Sequence, residues 1–179
     1  MTYSQAPELL TDRLLLRPHR LSDFDDSLAM WSDPEVARFI GGKPSTRDEV
    51  WFRLLRYVGL WELLGYGYFV VTDRETGRFL GEVGVADFHR PLPPTFSDFP
   101  EAGWAFAPAA HGRGIATEAV RRLLAWCDER FERTVCMIDP QNAPSIRVAG
   151  KCGFREYEHA AYRDGQTILF ERLRPPSRD

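Results

Sequence analysis

The chain has 179 residues, 44% of them hydrophobic and 27% charged, with a net charge of -3. That size and balance suit one soluble domain with a real core, and the slight acidity speaks against nucleic acid as the main ligand. No apolar run reaches the ~20 residues of a membrane span, and the N-terminus lacks the zones of a secretory signal, so a cytoplasmic protein without a membrane partner is expected.

In chain order, "LLTDRLLLRPH" carries a β-like apolar core and ends at Pro18. "SDFDDSLAMW" reads as a helix with Ser22 as N-cap and acids in its first turn. "STRDEVWFRLLRYVGLWELLG" opens with Ser45 or Thr46 before Asp48 and Glu49, continues as an apolar-rich helix and stops at Gly65. "YGYFVVTDRETGRFLGEVGVADF" predicts a hairpin turning at Glu75–Gly77, and "HRPLPPTFSDFP" a Pro-rich loop. "EAGWAFA" is a short strand. In "GIATEAVRRLLAWCDERF", Ile115, Ala119, Val120, Leu123, Leu124, Cys127 and Phe131 recur at helical spacing. "RTVCMID" reads as a strand, "APSIRVAGK" as a short helix ended by Gly153, and "FREYEHAAYRDGQTILFERL" as a hairpin turning at Asp164–Gly165. The tail "RPPSRD" is expected to fray. This order predicts one α+β, or mixed α/β, domain over residues 1–179. Cys127, Cys136 and Cys152 show neither CxxC nor Cys/His spacing, so they read as buried reduced thiols, and no metal site is expected.

"AAHGRGIATEA" places two glycines just before the clearest helix. Gly112 and Gly114 permit a tight turn and close approach of a ligand, and the first N–H groups of a helix have no partner inside it. Together they predict an anion site, above all for phosphate. A P-loop is excluded, because no lysine follows the glycines. A dinucleotide-binding turn fits poorly: Thr117 stands at the third glycine position, and no series of βα units surrounds it.

"HGRGIA" resembles the Q/R-x-x-G-x-G/A motif of the GNAT superfamily of N-acetyltransferases, with His111 in place of Gln/Arg and Ala116 at the last position. "EAGWAFAPAAHGRGIATEA" and "NAPSIRVAGKCGF" resemble matching segments of the branch that acetylates ribosomal-protein N-termini (RimJ/RimL-like), and "LLTDRLLLRP" resembles the family's first strand. The resemblance spans essentially the whole chain. It implies a central, mostly antiparallel sheet of about seven strands flanked by helices, with the fourth and fifth strands splayed around the pantetheine arm of acetyl-CoA. Carried onto this sequence, it implies a cofactor site of Trp104, Ala105, Phe106, His111, Gly112, Arg113, Gly114, Ile115, Ala116, Thr117, Asn142 and Ser145. The amides from Arg113 to Thr117 face the diphosphate, and the strand "GWAFA" supplies an N–H to the thioester carbonyl. Arg113 either adds a charge-assisted phosphate contact or is a solvated surface charge.

Acyl transfer from a thioester to an amine needs a proton removed from the amine, whose pKa is near ~10, and support for the departing thiolate, whose pKa is about 8.5. Ser145 is the candidate beside the sulfur; its alternative role is a hydroxyl bonding nearby backbone in a first helical turn. Ala149 occupies the position where many members of the superfamily carry a tyrosine acid. Asn142 suits a helix N-cap as well as a pantetheine contact. Glu101 is the candidate base, sharing a strand face with Gly103 and Ala105, while Trp104 and Phe106 take the other; otherwise it is an edge acid facing water. His89 is a weaker base candidate and Asp139 a loop acid. Lys151, Gly153 and Phe154 read as a helix end, its stop and a core anchor.

Trp31, Phe39, Trp61, Phe96 and Phe99 either shape an acceptor pocket or pack the core, and Asp33 and Glu35 either attract a cationic amine or end a helix. The expected activity is transfer of acetyl from acetyl-CoA to a primary amine, on a protein N-terminus or a small molecule, by direct attack, in a monomer or homodimer. No cysteine suits a covalent acyl-enzyme. The alternatives are a non-catalytic acyl-CoA-binding module and transfer of a larger acyl group.

Overall fold

The computed structural model describes residues 6–176. Its strands are β1 (Leu9–Leu10), β2 (Leu14–Arg17), β3 (Tyr68–Asp73), β4 (Phe79–Ala86), β5 (Glu101–Phe106), β6 (Arg133–Ile138), β7 (Arg155–Tyr162) and β8 (Gly165–Leu173). They form one sheet in the order β1-β2-β3-β4-β5-β6-β8-β7. Every neighbouring pair is antiparallel except β5 and β6, which run parallel. The helices are α1 (Phe24–Trp31), α2 (Pro34–Ala37), α3 (Arg47–Leu64), α4 (Pro94–Ser97), α5 (Ile115–Cys127) and α6 (Ala143–Lys151). The mixed α/β architecture is the expected one, with eight strands rather than about seven. The extra strand arises because "TDR" turns the chain back on itself: the Leu14 amide donates to Thr11 Oγ1 at 2.9 Å, and Leu9 pairs with Leu16.

Local chemistry sets the element ends. Thr46 caps α3 in a reciprocal box with Glu49, whose carboxylate accepts from the Thr46 amide at 2.8 Å, and Gly65 closes the helix in the left-handed region (φ 73). Ser22 is not a cap. Asp23 stands at the N-cap of α1 without capping it by its side chain; its carboxylate closes the preceding 3-10 turn, accepting from the Arg20 amide at 2.7 Å, and is gripped through both oxygens by Arg17 at 2.8 and 2.6 Å. The Pro-rich loop contains one helical turn, α4. Phe131 lies beyond the end of α5 yet packs against the core. The end of the tail, Ser177–Asp179, lies outside the described residues.

The sheet separates two layers. Ala102, Trp104 and Phe106 of β5 join Val83 and Val85 in the main core with Ile115, Ala119, Val120 and Leu123 of α5. The odd-numbered residues face the opposite side, where Ala105 packs with Met30, Trp31, Val36 and Val50 of α1–α3. Cys127, Cys136 and Cys152 are buried and free; burial pushes their thiols up, Cys127 to about 12. Among the described residues, no helix is long and apolar enough to cross a membrane.

Candidate active site

The parallel pair β5/β6 is joined at a single register position, Glu101 opposite Val135, and then opens. By contrast, β5 pairs with β4 over its whole length, from Ala86–Glu101 to Gly81–Phe106. The Val135 amide donates to Pro100 O and the Ala107 amide to Leu80 O, so even-numbered residues of β5 turn their N–H and C=O toward β6 and odd-numbered ones toward β4. Trp104 and Phe106 therefore line the split with backbone groups. Ala105, expected alongside them, turns its backbone to β4 and its side chain to the α1–α3 layer.

Beyond β5 a short 3-10 turn, Pro108–Ala110, leads into Gly112 (φ 71) and Gly114 (φ 76), the latter standing as N-cap of α5. The His111 amide donates to Pro108 O and the Glu118 amide to Gly114 O. Between them, the six amides from Gly112 to Thr117 have no acceptor among the described residues. Six consecutive free donors at the positive end of a 13-residue helix form a cradle for a diphosphate. Gly112, Arg113 and Gly114 are exposed, whereas the Ile115 side chain is core, leaving only its amide to offer. His111 bends back: its Nε2 lies 2.9 Å from Phe106 O, so the ring ties the turn to the end of β5.

Sequence reasoning missed what holds the turn. Arg13, across the molecule, donates through Nη1 to Arg113 O at 3.1 Å and through Nε to Glu118 at 2.7 Å, while Thr11 also binds Glu118. These contacts span 100 residues or more, and nothing local announces them.

Across the split, beyond the C-terminal end of β6, Asn142 caps α6, accepting from the Ser145 amide at 3.2 Å. Ser145 is half-buried and its hydroxyl makes no hydrogen bond among the described residues, so it does not bond local backbone. The end of α6 meets the middle of α5, where Arg121 donates to Lys151 O at 2.9 Å. Asp139 is a loop acid that accepts from the Gln141 amide.

Glu101 is neither an open base nor an edge acid facing water. It is 7% exposed and held by Arg90, whose Nε donates to Oε2 and whose Nη2 donates to Oε1 at 2.8 Å. Burial pushes its carboxyl above the usual range, against the pull of Arg90. Arg90 also donates to the Tyr162 hydroxyl at 2.6 Å, tying the β7–β8 hairpin tip to β5. The room expected over Gly103 is taken by Tyr68: a Cβ built there would meet its hydroxyl. Arg90 and Asp87 line a cleft of about 480 Å³ with Tyr66, His89, Asp98 and Phe99. The side chain of His89 is almost wholly exposed, at 3.5 Å from Asp87. Trp31, Trp61 and Phe96 are buried in the core, and Asp33 caps α2, so these are structural.

The family model described as "Acetyltransferase (GNAT) domain" matches residues 13–155. The chain belongs to the GNAT acetyltransferase family. A GnaT-family acetyltransferase from Bordetella pertussis is 36% identical with a TM-score of 0.84, over 94% of this chain and 100% of that one. The uncharacterized protein YkkB of Bacillus subtilis (strain 168) is 32% identical over 154 residues, 82% of this chain and 84% of its own. RimL, a ribosomal L7/L12 alpha-N-protein acetyltransferase solved in complex with coenzyme A, shares the fold (TM-score 0.76, 15% identity, 93% and 98% covered). This GNAT chain is thus an acetyltransferase of RimJ/RimL-like fold.

Proposed function

We propose that the protein transfers the acetyl group of acetyl-CoA to a primary amine, on a protein N-terminus or a small molecule, by direct attack within the β5–β6 split. The observation that carries this reading is the run of six free amides at Gly112–Thr117, set where the split opens. In this reading the amides hold the diphosphate and Arg113 adds a charged contact. The pantetheine arm follows the backbone of Trp104 and Phe106 that faces the split, with Asn142 on its far side. An N–H of β5 steadies the charge that develops on the carbonyl oxygen. The free hydroxyl of Ser145 meets the departing sulfur. The amine enters from the opposite face through the cleft beside Arg90. Glu101 has both oxygens engaged by Arg90, so its part is to anchor that cleft rather than to take the proton.

The test is thiol release from acetyl-CoA across a panel of polyamines, aminoglycosides and short peptides with free N-termini, with mass spectrometry of the products. One acetylated amine per thiol supports the reading. Acetyl-CoA binding without turnover on any amine of the panel contradicts it.

A further inference from the structure

The Arg113–Gly114 peptide lies in a stretch that leaves it free to turn over. Gly112 (φ 71) and Gly114 (φ 76) stand in the left-handed region, and glycine takes either sign of φ at little cost. The C=O and N–H of a trans peptide point to opposite sides, so turning the plane over exchanges the group it presents. Presented outward, the Gly114 amide donates to a phosphate; presented outward, the Arg113 carbonyl repels one. Among the described residues, neither group bonds to the backbone.

Arg13, one residue before β2, decides between the two. Its Nη1 donates to Arg113 O at 3.1 Å. A carbonyl held toward Arg13 turns the Gly114 amide away from it, to a side where that amide has no acceptor among the described residues. The same guanidinium balances Glu118, the acid in the first turn of α5. Nε and Nη2 of Arg13 meet Glu118 Oε2 at 2.7 and 2.5 Å, while Oε1 accepts from Thr11 Oγ1 at 2.5 Å and from the Arg13 amide at 3.2 Å. An unbalanced carboxylate so close to the cradle would repel a diphosphate.

Anchoring the fold does not call for this arrangement. The turn before β2 is pinned by Arg122 Nε to Leu10 O at 3.1 Å, by Arg74 Nη1 to Thr11 O at 3.0 Å and by the Arg74 amide to Arg13 O at 2.8 Å. The Arg13 side chain is half-exposed, where an ion pair adds little stability.

We infer that Arg13 is a positioning residue for acetyl-CoA: it holds the Arg113 carbonyl back so that the Gly114 amide faces the diphosphate, and it cancels the charge of Glu118 beside that ligand. The inference rests on Gly112–Thr117 being a diphosphate cradle.

Calorimetric titration of CoA into the full chain tests it, with urea unfolding to certify each variant as folded. Arg13→Gln is expected to weaken CoA binding roughly 10-fold. Adding Glu118→Gln to Arg13→Gln is expected to recover part of that loss, because the repelling charge is gone although the ion pair is not restored. A variant that merely disturbed the fold would gain nothing from the second change. Arg122→Ala loosens the same turn without touching Arg113, and is expected to bind CoA as the wild type does. A folded Arg13→Gln variant with wild-type affinity overturns the inference. So does a double variant no tighter than Arg13→Gln, or an Arg122→Ala variant as weak as it; in each case the cradle reading stands. If the wild type binds no CoA, the cradle reading falls and the role of Arg13 falls with it.

Discussion

Ser145 occupies the third position of α6, where its amide is taken by Asn142 and its hydroxyl is left free. Ser145→Ala therefore removes no cap and no packing. It is expected to cut kcat by roughly 10²-fold while leaving the KM for acetyl-CoA unchanged, because a contact to the leaving sulfur strengthens only in the transition state. Steady-state kinetics with varied acetyl-CoA check it. Glu101→Gln should act differently. It strips a buried charge from Arg90 and is expected to cost about 3–5 kcal/mol of stability by urea titration, without changing the shape of the kcat–pH profile. Position and type of both residues were legible from their motifs. The partner of Glu101 was not, because Arg90 reaches it from a loop whose course no local pattern dictates. Glu82 offered a signal, a lone acid inside "FLGEVGVA", which pattern reading alone passes over.

At the scale of elements, Gly103 and Gly84 are cross-strand partners, and both lie beneath Tyr68 of β3. A Cβ on Gly103 would overlap the Tyr68 hydroxyl but stand 3.3 Å from Cζ. Gly103→Ala is thus expected to be destabilising, and Tyr68→Phe in the same chain to restore much of the loss. A double-mutant cycle in denaturant measures it, and additive effects would deny the contact. α3 and the 68–86 hairpin were legible because their caps and turn are local: Thr46 with Glu49, Gly65, and the tight turn ending at Gly77. The division of the first strand at Thr11 and the helical turn α4 were not, since each is closed by bonds three or four residues apart, Thr11 to Leu14 and Pro93 to Phe96 and Ser97, too short to show a period. α5 was the clearest element, and truncating its fully buried Leu123 to Ala is expected to cost about 2–5 kcal/mol in thermal or denaturant unfolding.

At the scale of the whole molecule, buried carboxylates set the response to acid. Burial alone would raise the carboxyls of Glu82 and Asp23. The nearby His19 ring with hydrogen bonds from Ser27 and Trp31 holds Glu82 below the usual range, and hydrogen bonds from Arg17 and the Arg20 amide hold Asp23 there. A depressed folded-state pKa contributes stability that is present above the unfolded value of about 4 and is lost as pH falls through the folded one. Stability should therefore drop steeply below about pH 4, and Glu82→Gln should flatten that drop while lowering stability at neutral pH. The same sheet that encloses these acids opens between β5 and β6, and the glycine turn that follows sets six amides at the opening. That arrangement is the centre of the account, and calorimetric titration of CoA into the wild type and Gly114→Val tests it most directly. A β-branched side chain at φ 76 resists the turn and crowds the cradle. The account predicts tight binding by the wild type and a loss of 10-fold or more, about 1.4 kcal/mol, in the folded variant. Equal affinity in a folded Gly114→Val protein would contradict it.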